Sequence, residues 1–301
     1  MSHECACFRV GAQVIKTIFV PTSGAETDRS VLETALAAGR VLDAHLDLFH
    51  VDLSAGEASA HAHLEFCQGP ELADALGPLS QHEKARSVRA RKHFETFCAA
   101  NRIPVYNAPG GVGEVSASWL QQTDRASERL LFQARHHDLI VLGRRRNNDY
   151  LPGGLIEALL VQSGRPILIA PPAPPRSVTG TVVVGWKETA EAARSLAFSL
   201  PLLKQAKNVL LLAVSEHGAA SSEALHDCAQ QLAWHGVIAE VVTTGDGSRS
   251  AAVEMMEATA RARAELLVVG GFGHGQLREL IFGGVTQALI GRADLPVFMA
   301  H

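Results

Sequence analysis

The chain has little excess of charge of either sign: 27 Lys and Arg stand against 31 Asp and Glu, a formal net charge of −4. Nucleic-acid binders usually present a basic face, so no nucleic-acid partner is expected. Nor is there an apolar run near the roughly 18–20 residues a membrane helix needs. The opening stretch MSHECACFRVGAQVIK has neither the basic n-region nor the apolar h-region of a secretory signal. No membrane partner and a cytoplasmic location are therefore expected. Cysteines are few and odd in number, with Cys5, Cys7, Cys67, Cys98 and Cys228 widely scattered. A chain of this size needs no disulfide staples, and the five read as free thiols in a reducing compartment. No Gly-x-Ser-x-Gly nucleophile turn occurs, and no catalytic residue is named.

What is present is core-forming material. Of 301 residues, 47% are hydrophobic, which excludes disorder and suits two domains better than one. The proline cluster PPAPPR at 171–176 cannot continue a helix or an interior strand and reads as a stiff linker. It divides the chain into 1–173 and 177–301.

The two parts repeat each other. KTIFVPTS (16–23) answers GTVVVGWK (180–187), HLDLFHV (45–51) answers NVLLLAV (208–214), and DLIVLG (138–143) answers ELLVVG (265–270). Ile167 to Ala170 and Val297 to Ala300 each follow a proline by the same step. The first part carries surplus residues, mainly in 52–85, a stretch rich in Ala, Gly, Ser and His. Helical spacing separates the apolar runs, as with Leu196, Leu200 and Leu203, or Val253, Met256 and Ala260. Short, continuous apolar strands alternating with helices indicate a parallel sheet covered on both faces. Each part is expected to be a five-stranded doubly wound α/β domain.

One motif carries a chemical expectation. After the fourth apolar run of the second part comes GGFGHGQLRELIFGGVT, residues 270–286. Glycines let a backbone approach a phosphate closely, and a helix opening at Gly284 would aim its N–H groups at an anion. Gly270, Gly273, Gly283, Gly284, Val285 and Thr286 form this candidate cradle, with His274 and Arg278 near it. The same glycines serve equally well as turn formers, and that alternative stays open.

With its Gly-x-x-Gly, nine residues, Gly spacing at Gly270, Gly273 and Gly283, the chain resembles the universal stress proteins in their tandem form. The resemblance covers nearly the whole chain; Gly284 stands where the family has a hydroxyl residue. It implies a parallel sheet of order 3-2-1-4-5 in each domain, placing the ends of strands one and four side by side at the point where such folds bind ligands. ATP-binding members use an Asp at the end of strand one for the adenosine, and that position falls on Ser23 in the first part and Lys187 in the second. A lysine cannot accept hydrogen bonds as a carboxylate does. The first part is more degenerate, keeping only Gly153 and Gly154 before a helix near Leu155.

The resemblance thus implies a stress-response binding and signalling module, holding ATP or another adenine nucleotide in the second domain, with no metal beyond the Mg that accompanies ATP. A slow nucleotide or phosphoester hydrolase, and a partner-binding module with a decayed site, are the alternatives. An intramolecular pseudo-dimer is expected, the two fifth strands pairing across a pseudo-twofold axis, and a homodimer of such chains is a further expectation. Arg144 to Arg146 read mainly as solvated charges. Cys5, Cys7, His61, His63 and Cys67 lack zinc-site spacing. Gly110 to Gly113 read as a flexible loop before a helix, and Trp119, Trp186 and Trp234 as packing residues.

Overall fold

The computed structural model describes residues 15–53, 70–108, 114–123, 125–144, 151–215, 222–245, 248–271 and 284–301. In the first half, β1 (Thr17–Thr22), α1 (Asp28–Leu42), β2 (His45–Asp52), α2 (Pro70–Asn101), β3 (Ser116–Thr123), α3 (Ala126–Ala134), β4 (Leu139–Leu142), α4 (Leu155–Gln162) and β5 (Ile167–Ile169) follow one another. The second half repeats the order with β6 (Thr181–Gly185), α5 (Ala190–Leu203), β7 (Asn208–Val214), α6 (Ser222–Trp234), β8 (Ala239–Thr244), α7 (Ala251–Arg261), β9 (Leu266–Gly270), α8 (Gly284–Arg292) and β10 (Val297–Ala300).

All ten strands form one sheet of order β3-β2-β1-β4-β5-β10-β9-β6-β7-β8. Each half is therefore parallel in the order 3-2-1-4-5, as the resemblance implied. The halves meet where β5 and β10 pair antiparallel, Leu168 opposite Phe298 and Ile169 opposite Val297. The expected pairing of fifth strands is observed, and strand direction reverses at that seam.

Continuous apolar runs are required because successive strand residues face opposite sides of a covered sheet. Val20, Val184 and Phe298 enter one core cluster, and their neighbours Phe19, Val183 and Met299 enter the other. Each cluster runs through both halves, and α1 packs on α5 across the seam. A serine marks the repeat: Ser30 on α1 donates to the Pro171 carbonyl at 2.6 Å, and Ser195 on α5 donates to Ala300 O and accepts from Ala300 N. In each half, one hydroxyl ties the first helix to the end of the fifth strand.

The outermost strands depart from the apolar pattern. In β3 the sequence SASWLQQT is half exposed, and in β8 no residue is fully buried, because an edge strand has one neighbour and a thinner cover. Gly110 to Gly113 precede this strand and not a helix. Its residues pair in register with β2 from His45–Ser116 to Asp52–Thr123, and that ladder overrides the local reading. Pro104 and Tyr106 bond Ala117 from outside and so blunt one end of this edge. Trp119 packs on Phe94 at 5.4 Å between ring centres and Trp186 lies against the core, as expected, whereas Trp234 stands 88% exposed and does not pack.

Separated from its partner, the second half would leave β10 unpaired along an apolar edge. Residues 177–301 expressed alone are expected to self-associate, read by sedimentation velocity. A soluble monomer at high concentration would remove the edge argument for the seam.

Candidate functional site

In each half the crevice where strand order reverses lies at the ends of the first and fourth strands. In the second half these are β6 and β9, with Gly185 level with Val269. The chain leaves β6 through Trp186 and Lys187, turns with Thr189 N–H donating to Lys187 O at 2.7 Å, and starts α5. Thr189 caps that helix, its hydroxyl accepting from Ala192 N at 3.3 Å. Lys187, which the resemblance would place where ATP-binding members carry a carboxylate, is exposed.

Gly270 ends β9 directly beneath this capped turn. A Cβ there would stand 2.7 Å from the Ala192 backbone nitrogen and 3.0 Å from the Glu191 carbonyl carbon. Close approach of helix to strand therefore requires this glycine, which accounts for one of the cradle residues without a ligand. At its repeat in the first half, Gly143, a Cβ would instead meet a side-chain methyl, Val31 Cγ2 of α1, at 2.9 Å. Gly284 opens α8 with open space where a side chain would stand, Val285 is half-buried, and Thr286 is buried. Gly273, His274, Arg278 and Gly283 lie outside the described residues, as do Arg145, Arg146, Cys5, Cys7, His61, His63 and Cys67. Because the atoms nearest Gly270 are backbone, Gly270→Val is expected to cost about 1–3 kcal/mol in urea unfolding. An unchanged midpoint would refute the close-packing role.

The first half places different chemistry at the same point. Ser23 is buried at the end of β1, and Asp28 of α1 turns back onto it. The Asp28 carboxylate accepts from the Ser23 hydroxyl at 2.7 Å, the Ser23 N–H at 3.0 Å and the Gly24 N–H at 2.7 Å. Burial pushes the Asp28 carboxyl above its usual pKa, against the pull of these hydrogen bonds. On the other side stands Arg86 of α2, 1% exposed, donating to Ser23 O at 3.0 Å and Val51 O at 2.6 Å and paired with Glu83 at 2.7 Å. His50, fully buried and stacked near Trp119, donates from Nδ1 to Thr22 O at 2.9 Å. Burial, and next the Arg86 charge, holds its pKa below the usual histidine value. A cavity of about 30 Å³ remains among Ser23, Asp28, Leu142, Gly143, Pro152 and Leu155, space for a water or two.

Arg144, read from sequence as solvated, is partly buried, and its guanidinium donates across the seam to Leu295 O at 3.4 Å. Cys98 and Cys228 are buried free thiols, each pushed up by burial to about 11, which leaves them unreactive. At the opposite ends of the first-half strands, Asp47 gathers His137 at 2.8 Å, His45 at 3.3 Å and the Ser118 hydroxyl. Sequence reading singled out none of Asp28, Arg86, Asp47 or His137, since each is placed by a partner distant in the chain or a turn away.

Residues 181–301 match the model of the universal stress protein family. Over that stretch the chain is similar to the universal stress proteins. Among solved structures, a universal stress protein from Archaeoglobus fulgidus DSM 4304 superposes with a TM-score of 0.67 at 17% identity, covering 94% of this chain and 97% of that one. A functionally unknown protein from Pseudomonas aeruginosa PAO1 gives a TM-score of 0.55 at 16% identity, covering 95% and 92%. At such identities the likeness is one of fold, and it extends the universal stress architecture over both halves. No curated protein sequence matches the chain.

Proposed function

We propose that the protein is a cytoplasmic stress-response binding module of two domains, 1–173 and 177–301, whose second domain holds an adenine nucleotide weakly by its phosphates. The observation that supports this most directly is the family match over 181–301 together with an exposed lysine, Lys187, at the end of β6. The segment from Gly270 to Gly283, with His274 and Arg278, and the first turn of α8 at Gly284, Val285 and Thr286, would surround the phosphates. Mg would accompany a triphosphate as its counter-ion.

A lysine where the family places a carboxylate favours charge over base recognition. A hydrogen bond to a charged group is worth roughly 1.5–3 kcal/mol, so its loss weakens ATP by about ten- to a hundredfold relative to an Asp-bearing site. Titration of ATP, GTP and inorganic triphosphate into the wild type, Lys187→Asp and Gly273→Val tests this. The wild type is expected to bind all three weakly, Lys187→Asp to prefer ATP over GTP, and Gly273→Val to bind none. Adenine-selective, tight binding by the wild type would assign base recognition to another residue.

A second reading, a partner-binding module with a decayed site, draws on Gly270, whose place is explained by helix packing. Absence of binding by any triphosphate would put that reading first. Release of labelled phosphate from bound ATP would instead favour a slow hydrolase.

A further inference from the structure

We propose that α2, which starts within the inserted segment of the first half, supplies an internal ligand: it carries the Arg86 guanidinium into that half's crevice and closes it to nucleotide. The crevice ends in backbone carbonyls of β1 and β2 that require donors once buried. Arg86 meets this need with the planar fork of its side chain. One nitrogen donates to Ser23 O at 3.0 Å, another donates to Val51 O at 2.6 Å, and Nε donates to Glu83 at 3.0 Å. Glu83 neutralises the charge and also accepts from Leu53 N at 3.4 Å.

The seat of the helix is equally specific. Gly24 follows Ser23 with φ +79°, and a Cβ there would stand 2.5 Å from the Arg86 carbonyl oxygen. The α2 backbone thus rests on the β1–α1 turn, and Asp28 takes the donors on the other side of Ser23. Among the described residues a cavity of about 30 Å³ remains beside Ser23 and Asp28.

Among the described residues the second half has no such element. α2 and α6 finish in the same turn, with Ile103 N–H donating to Cys98 O at 2.9 Å and Val237 N–H donating to Leu232 O at 3.0 Å. Matched at that turn, Arg86 falls ahead of Ser222, where α6 begins. The preceding residues, 216–221, read EHGAAS and include neither Arg nor Lys. α2 begins at Pro70, within the surplus at 52–85, and carries the guanidinium in. A tethered cation has replaced an exchangeable molecule, and the first half keeps its structure at any nucleotide concentration.

This inference stands apart from the proposed nucleotide site, which lies in the other half. Fluorescent ATP titrated into the wild type is expected to occupy no more than one site per chain; two sites would overturn the closure, while none would count only against the second-half reading. Arg86→Ala is expected to melt roughly 5–10 °C below the wild type. Millimolar methylguanidinium should recover much of that loss, methylammonium at equal ionic strength should not, and the wild type should respond to neither. A wild-type melting point in Arg86→Ala, or equal recovery by the two cations, would overturn the proposal. Should Arg86→Ala not fold, Arg86→Lys decides: one ammonium cannot serve both carbonyls and Glu83, so it should melt below the wild type, and an unchanged melting point would count against the guanidinium role.

Discussion

Phe298→Ala is expected to lower the stability of the whole chain by about 3–5 kcal/mol, the usual cost of emptying a fully buried phenylalanine site. Phe298 is completely buried at the seam, opposite Leu168 of the first half, in a core cluster that also contains Val20, Leu48 and Phe94. Removing its ring should therefore be felt on both sides. A form keeping only Trp119 reports the first half by fluorescence. With Phe298→Ala added, its urea midpoint should fall with that of the second half. A first-half midpoint left in place would show that the two cores unfold separately.

Asp47→Asn is expected to cost about 3 kcal/mol at pH 7 and to make the first half insensitive to one component of acid denaturation. Burial works to raise the Asp47 pKa, but hydrogen bonds from His137, His45 and Ser118 outweigh it and hold the carboxyl well below the usual carboxylate range. Each hydrogen bond to a charged group contributes roughly 1.5–3 kcal/mol, and partial exposure discounts the sum. The sign follows from linkage. A carboxyl depressed in the folded state stabilises it above the unfolded pKa, near 4, and that contribution is lost as pH falls from there. The gap between wild type and Asp47→Asn, measured by urea unfolding, should hold from pH 7 to about 5 and shrink below 4. A gap independent of pH down to 2.5 would show that the carboxylate charge contributes nothing.

The core strands were readable because burial on both faces leaves an apolar run that no helix period explains, as at Val182 to Val184 or Leu266 to Val269. The fifth-strand pairing was readable for the same reason, since Ile167 to Ile169 and Val297 to Ala300 are apolar on both faces and need cover. The edge strand β3 was not, because SASWLQQT exposes Leu120, Gln121 and Thr123 and takes its conformation from β2. Arg86 was hidden more completely. It lies on a 32-residue helix of mostly polar sequence, where an arginine ordinarily stays solvated, and its partners Ser23 and Val51 are brought to it by the fold alone. His137 and Asp47 are likewise ninety residues apart, and β1 lies between their strands. Gly270 shows the opposite difficulty: the spacing was seen, but its glycine is demanded by the backbone of α5 at 2.7 Å.

The antiparallel seam between β5 and β10 gives the molecule a polarity that neither half has alone. Because strand direction reverses there, the C-terminal ends of β1–β5 and of β6–β10 lie on opposite rims of the ten-stranded sheet. The rim sealed by Arg86 and the rim bearing Lys187 therefore face away from each other. A body seated on one rim would leave the other unobstructed, so the two crevices can be approached independently, from opposite sides of the sheet.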